Sequence, residues 1–184
     1  MDLLTDKKMI NGILSRLGEW NLIAAEKMLK SGVDCICFCD DLGTETSLLM
    51  NPAIYKQFFY PWHKKLAELA HKYGKFVHMH SHGNLTEIIE NIVEIGVDIL
   101  NPLDPAEGND IIGWRRKYGE KIIFAGGLSK NFWEMSLSGM KKTITEILEG
   151  TNREVILMTA SGVPEDVEKE KFQNAISLFK ELNK

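Results

Sequence analysis

The sequence predicts an α/β chain of about five parallel strands, each followed by a helix. Three observations carry this. Short apolar runs alternate with segments of helical periodicity along the whole chain. A glycine placed to stop a helix stands just before four of the runs, at Gly32, Gly74, Gly96 and Gly119. Polar residues gather after the runs, at their carboxyl ends. Parallel strands need long crossovers, which the helical segments provide. An open doubly wound sheet and part of a barrel both satisfy this pattern.

The elements follow in order. Thr5-Asp6 can cap a first helix whose Ile10, Leu14, Leu17, Ile23, Ala24 and Met28 recur at helical spacing up to Gly32. Residues 33–39 then read as a buried strand. Asn51-Pro52 offers a cap and a first-turn proline for a second helix running to Gly74, and residues 76–80 form the next strand. Asn84 is placed to cap a helix over 85–95, where Ile88, Ile92 and Ile95 share a face, before a strand at 97–100. A short helix over 110–118 leads to a strand at 121–125, a helix over 138–148 to a strand at 155–159, and 164–182 makes the terminal helix. No linker or low-complexity segment divides the chain, so residues 1–184 form one domain.

The five strand ends carry Asp40-Asp41-Leu42-Gly43-Thr44, His80-Ser81-His82-Gly83, Asn101-Pro102-Leu103-Asp104-Pro105, Gly126-Gly127-Leu128 and Ala160-Ser161-Gly162-Val163-Pro164. In parallel α/β folds that end holds the active site, so five loops deliver acid, imidazole, amide and hydroxyl groups to one cavity. The densest is His78-Met79-His80-Ser81-His82, three imidazoles at alternate positions. Residues two apart on a strand project to one face, and neutral imidazole is a good ligand for borderline metals. A packed ring and a helix cap are the structural alternative, since a metal site needs a third ligand.

The chain is 44% hydrophobic and 26% charged with a net charge of -4, the composition of a folded domain rather than a disordered one. No basic stripe suits a phosphate backbone, which argues against nucleic acid. No apolar run reaches membrane-spanning length and the start lacks a secretory pattern, so no membrane association and a cytoplasmic location are expected. Cys35, Cys37 and Cys39 alternate in one apolar strand, which predicts small buried residues on a shared face rather than a disulfide framework.

Several motifs together resemble the uroporphyrinogen decarboxylase superfamily: Asp40-Asp41-Leu42-Gly43-Thr44, Asn51-Pro52, Phe58-Phe59-x-Pro61, His80-Ser81-His82-Gly83-Asn84, Gly96-Val97-Asp98-Ile99-Leu100-Asn101-Pro102, Phe124-Ala125-Gly126-Gly127-Leu128 and Gly162-Val163-Pro164. The superfamily includes haem-pathway decarboxylases and cobamide-dependent methyltransferases acting on thiols. The resemblance implies a (β/α)8 TIM barrel. Such barrels take about 250 residues, so the expectation is a partial barrel lacking its first strands, with two open sheet edges. A chain supplying the missing half, a corrinoid protein and a second copy are the partners this implies.

In the methyltransferase branch, zinc is held by a His-x-Cys-Gly motif and a later Cys-Gly. Here His80 matches the first ligand, His82 replaces the cysteine, and Ser161 replaces the later one. The resemblance thus makes His80 and His82 a metal pair to be completed by a carboxylate such as Asp104 or Glu107, with thiolate softness lost. In the decarboxylase branch, which is metal-free, a histidine precedes the late glycine where this chain has Ser161, and Asp41 stands at a serine position. The leading expectation is methyl transfer from a methylcorrinoid to a thiol or related acceptor, a small-molecule substrate. Metal-free decarboxylation and a non-catalytic, barrel-completing subunit are the alternatives.

The residues expected to act are Asp40, Asp41, His80 and His82, with Asn101, Asp104, Gly126, Gly127 and Ser161 holding substrate. Each has a structural alternative. Adjacent Asp40 and Asp41 point opposite ways on a strand end, so one can serve as a cap. Gly126-Gly127 can present amides to an anion or only make a tight bend. His63 and His71 lie in a helix and read as surface residues, and Tyr55, Phe58, Phe59, Tyr60 and Trp62 as helix packing.

Overall fold

A computed structural model describes residues 2–182, with a short helix α1 (Asp2–Thr5) leading into α2 (Lys7–Lys30). Five β/α repeats follow: β1 (Cys35–Cys39), β2 (Phe76–His80), β3 (Ile99–Leu103), β4 (Ile123–Leu128) and β5 (Ile156–Thr159). The helices between and after them are α3 (Pro52–Phe58), α4 (Tyr60–Lys72), α5 (Ile89–Ile95), α6 (Ile111–Tyr118), α7 (Leu137–Gly150) and α8 (Lys169–Leu182).

The four pairings between these strands are parallel and the spatial order is β1-β2-β3-β4-β5. That order decides between the two windings the sequence left open. A doubly wound sheet reverses direction from an inner strand, whereas a barrel adds each strand to the same side of the last.

Local chemistry sets the helix ends. Asp6 accepts the Met9 amide at 2.9 Å, Asn51 the Ala53 amide at 2.8 Å, Asp110 the Gly113 amide at 2.9 Å and Ser136 the Gly139 amide at 3.2 Å. Three expected helices differ. The single helix expected from Asn51 to Gly74 is two, α3 and α4, joined at Phe59 with Pro61 in the first turn of α4. Proline disfavours helical continuation through the residue before it and supplies no amide to the preceding turn. Asn84 forms a local turn with the Thr86 amide at 3.0 Å, and α5 starts only at Ile89. The terminal helix starts at Lys169 rather than Pro164, after a turn in which the Val167 amide bonds Pro164 O at 3.2 Å.

The core lies between the outer face of the sheet and the helices. Ile36, Val77, Met79, Leu100 and Phe124 pack there against Ala67, Ile92, Ile111 and Trp114. A second cluster joins Leu128, Phe132, Met140, Ile144 and Ala175 beneath α7 and α8. The inner face is open. Strand register places Cys37 beside His78 and Cys39 beside His80 on that face. Phe76 at its amino end is 60% exposed.

This corrects the expectation for the cysteines: they do share a face, but Cys37 and Cys39 are exposed and Cys35 half-buried, because nothing among the described residues covers the inside of the sheet. The partial burial that remains still pushes the Cys35 and Cys37 thiols above their usual range. Helix α2 departs in the same way. Gly18, Ala25 and Leu29 are its buried positions, whereas Leu17, Ile23 and Met28, expected to be covered, are more than half exposed. Met9, Ile13 and Trp20 extend that apolar stripe. No described helix is long and apolar enough to cross a membrane.

Candidate functional site at the carboxyl ends of the strands

The loops after the first four strands are laced together in sequence order. The Asp40 amide bonds His80 O at 3.0 Å, the Gly43 amide bonds His82 O at 3.1 Å, and the Leu42 amide bonds the Oγ of fully buried Ser81 at 3.1 Å. Asp41 returns the connection, its Oδ1 accepting the His82 amide at 3.0 Å. The backbones touch where both residues are glycine: a Cβ on Gly83, whose φ is +91°, would lie 2.1 Å from the carbonyl carbon of Gly43.

The lacing continues through Asn109 and Asp104. Asn109 is buried, donates to Gly83 O at 3.1 Å and Asp104 O at 3.3 Å, and accepts the Leu85 amide at 3.1 Å. Asp104 is fully buried, and its two oxygens accept the amides of Ala106 at 2.8 Å and Lys130 at 3.0 Å. Glu107 Oε2 takes the Gly83 amide at 3.0 Å. Lys130 and Glu45 pair between the fourth loop and the first.

Within this frame Asp40 stands out. Its Oδ2 accepts from His63 Nε2 at 2.8 Å, and His63 Nδ1 lies 3.2 Å from the Tyr55 hydroxyl. His63 is 5% exposed, contrary to its reading as a surface residue, because it faces the sheet from α4 and packs on Phe38. A carboxylate only accepts, so Nε2 carries the proton; in the neutral ring Nδ1 then accepts from Tyr55 O–H. Burial, with the charge of Asp40 second, pushes the Tyr55 phenol above its ordinary range and keeps that donor in place. The Asp40 side chain is 47% exposed, and its Oδ1 takes no hydrogen bond from the described residues. It is a fixed carboxylate with one oxygen free for a ligand. His63 and Tyr55 were legible only as periodic helix residues, and no spacing in the sequence links them to Asp40.

The imidazoles divide. His80 and His82 meet edge to face with ring centroids 5.0 Å apart, while His78 turns to Asn101, Nε2 to Oδ1 at 2.5 Å. The Asn101 amide nitrogen lies 3.9 Å from Met158 Sδ, so this expected substrate-binding residue spans the inner face instead. Among the described residues, no group of three or more His, Cys, Asp or Glu is arranged to hold a metal. Asp104 and Glu107, the carboxylates expected to complete a zinc site, are already engaged with backbone amides. With His82 and Ser161 in place of two thiolates as well, this donor set does not fit zinc. Purified chain is therefore expected to carry zinc well below one equivalent, and elemental analysis of a His80→Ala/His82→Ala variant should match the parent; stoichiometric zinc lost in that variant would overturn this.

Gly126 and Gly127 answer to packing. A Cβ on Gly126 would lie 2.4 Å from Leu103 O, and one on Gly127 2.9 Å from the Ile147 side chain. Their β5 partners are Leu157 and Met158, so both sit within the ladder rather than in an open anion-binding turn. Ser161 is exposed, its carbonyl accepting the Thr159 hydroxyl at 2.6 Å, on a loop tied to the fourth strand end by the Ala160 amide, which bonds Leu128 O at 3.1 Å.

A parallel sheet wound in one direction, with acid and imidazole groups on interlocked loops at its carboxyl edge, defines part of a barrel of the enzyme-bearing (β/α)8 type. The chain belongs to the uroporphyrinogen decarboxylase (URO-D) family, whose model matches residues 1–182. Among solved structures it is similar to a methyltransferase from Methanosarcina mazei, at 19% identity with a TM-score of 0.78. That similarity covers 100% of this chain and 52% of the other, so the chain spans about half the length of that relative. A search of curated protein sequences finds no match.

Proposed function

We propose that this chain forms the catalytic-mouth half of a barrel that transfers a methyl group to a thiol or related small acceptor. The observation that carries the proposal is the fixed, half-exposed Asp40 carboxylate on a loop bonded directly to the His80–His82 loop. The kinship to the Methanosarcina mazei methyltransferase supports methyl transfer over other chemistries of the family fold. A methylated corrinoid on a partner protein would supply the methyl group.

This chain's residues then have separate tasks. Asp40 Oδ1 orients the protic end of the acceptor, held in place by His63. The His80 and His82 rings line the same mouth. Asp41, Asp104 and Asn109 keep the loops in register. Ser161, exposed on the fifth loop, is free to donate a hydrogen bond to a ligand. No step is assigned to a metal, for the donor set given above.

In the complete barrel, Asp40→Asn is expected to lower kcat/KM for methyl transfer from methylcorrinoid to a thiol by about 100-fold, the usual scale for a positioned acid or base group, and His80→Ala, at a ring that lines the mouth, to lower it less. Unchanged turnover in both would sink the proposal. Carbon dioxide release from a porphyrinogen, in place of methyl transfer, would move the chain to the decarboxylase reading. Activity in neither assay, with a partner bound, would leave it a structural subunit.

A further inference from the structure

We propose that Cys37 and Cys39 form a two-coordinate thiolate site for a soft monovalent cation, copper(I), on the open inner face of the sheet. The site stands apart from the methyl-transfer reading and uses none of the residues given a task there.

Strand geometry pairs these two thiols. They are two apart on β1, so both side chains leave the same face, beside His78 and His80 of β2. Both are exposed, and both line a groove of about 460 Å³ between β1 and helices α2 and α4, so a small ion can reach them. After burial, the Cys39 thiol is what pushes the Cys37 thiol up, as two sulfurs lying side by side would. The third thiol of the row is set apart. Cys35 is half-buried, turns its S–H to Ile36 O at 3.7 Å, and acts on Cys37 less than Cys39 does.

The spacing favours a bridging ion over a disulfide. Two residues of strand rise put the Cα atoms about 6.6 Å apart, near the long limit for a disulfide, with the two Cβ vectors side by side rather than converging. Two metal–sulfur bonds of about 2.3 Å let the sulfurs stand about 4.6 Å apart, which a small lean of the two side chains provides.

The donor count selects the ion. Zinc takes four ligands, and no group of three or more His, Cys, Asp or Glu among the described residues is arranged to hold a metal. Of the donors nearby, His78 is bonded to Asn101 and His63 to Asp40. Two thiolates alone suffice for copper(I), the soft ion that sulfur ligands select. Binding needs no redox step. Each S–H bond breaks as its sulfur bonds the ion, and two protons pass to solvent for one cation held.

The test offers copper(I) to the reduced chain from a coloured copper(I) chelate without oxygen, and follows the loss of colour. One equivalent should pass to the chain, and X-ray absorption should show two sulfur neighbours and no nitrogen. Cys37→Ser and Cys39→Ser should each weaken uptake by about 100-fold or more, since losing even an outer-shell partner of a metal ligand costs about 10–100-fold. Cys35→Ser should leave uptake unchanged. Each variant exchanges one atom, and an unaltered far-ultraviolet circular dichroism spectrum checks that the fold persists. Uptake that survives in a Cys37→Ser/Cys39→Ser variant would overturn the site. So would its loss in Cys35→Ser, an imidazole nitrogen bound to the copper, or no uptake at all.

Discussion

Replacing His63 by alanine is expected to cost about 3 kcal/mol of stability and to release Asp40 from its fixed orientation. Two terms add. The Tyr55 hydroxyl, on a residue 1% exposed, is left buried without a partner, at about 1–3 kcal/mol. The imidazole also leaves a void beside Phe38 and Tyr55, whose rings lie 4.9 and 5.7 Å away, adding about 1–2 kcal/mol. Tyr55→Phe should cost less, about 1–2 kcal/mol, because it leaves the buried His63 Nδ1 without its donor but forms no cavity. Urea unfolding of the two variants checks the order, and nitrogen NMR of His63 should show the proton on Nε2 in the parent. A Tyr55→Phe chain less stable than His63→Ala, or a proton on Nδ1, would contradict the relay.

Gly83→Ala is expected to be the most damaging single methyl in the chain, at about 4 kcal/mol or more. The new Cβ meets the Gly43 backbone at 2.1 Å, where no flexible side chain can yield, and the residue keeps a φ of +91° that alanine resists. The loops carrying Asp40 and His80 would be driven apart at the point where they are laced. Gly12→Ala is the control. It lies in α2 with no atom within 4 Å of the added methyl and should stabilise by about 0.5–1 kcal/mol through helix propensity. Thermal unfolding of both separates the effects, and a Gly83→Ala chain within about 1 kcal/mol of the parent would refute the contact.

The strands and most helices were legible because their signals are local. Alternation and short apolar runs mark strands, and Asp6 and Asn51 sit where the expected caps belong. The break at Phe59 escaped because the aromatic run continues the helical pattern across it. Pro61 was the available signal. Strand-end loops could be located by the same reasoning, and they hold the candidate site. Which of their groups face ligand could not be read, since a buried Asp104 and a half-exposed Asp40 look alike in one dimension.

The sequence by itself determined the β/α repeat, the place of the strand-end loops and the family, because these depend on local periodicity and on motif order. Tertiary structure alone decided the winding of the sheet, the partnership of Asp40 with His63 and Tyr55, and the exposure of Cys37, Trp20 and the β1 edge. The reason is that burial and hydrogen bonding belong to pairs of residues brought together across the chain. His63 lies 23 positions from Asp40, and an apolar helix face is core only when another segment covers it.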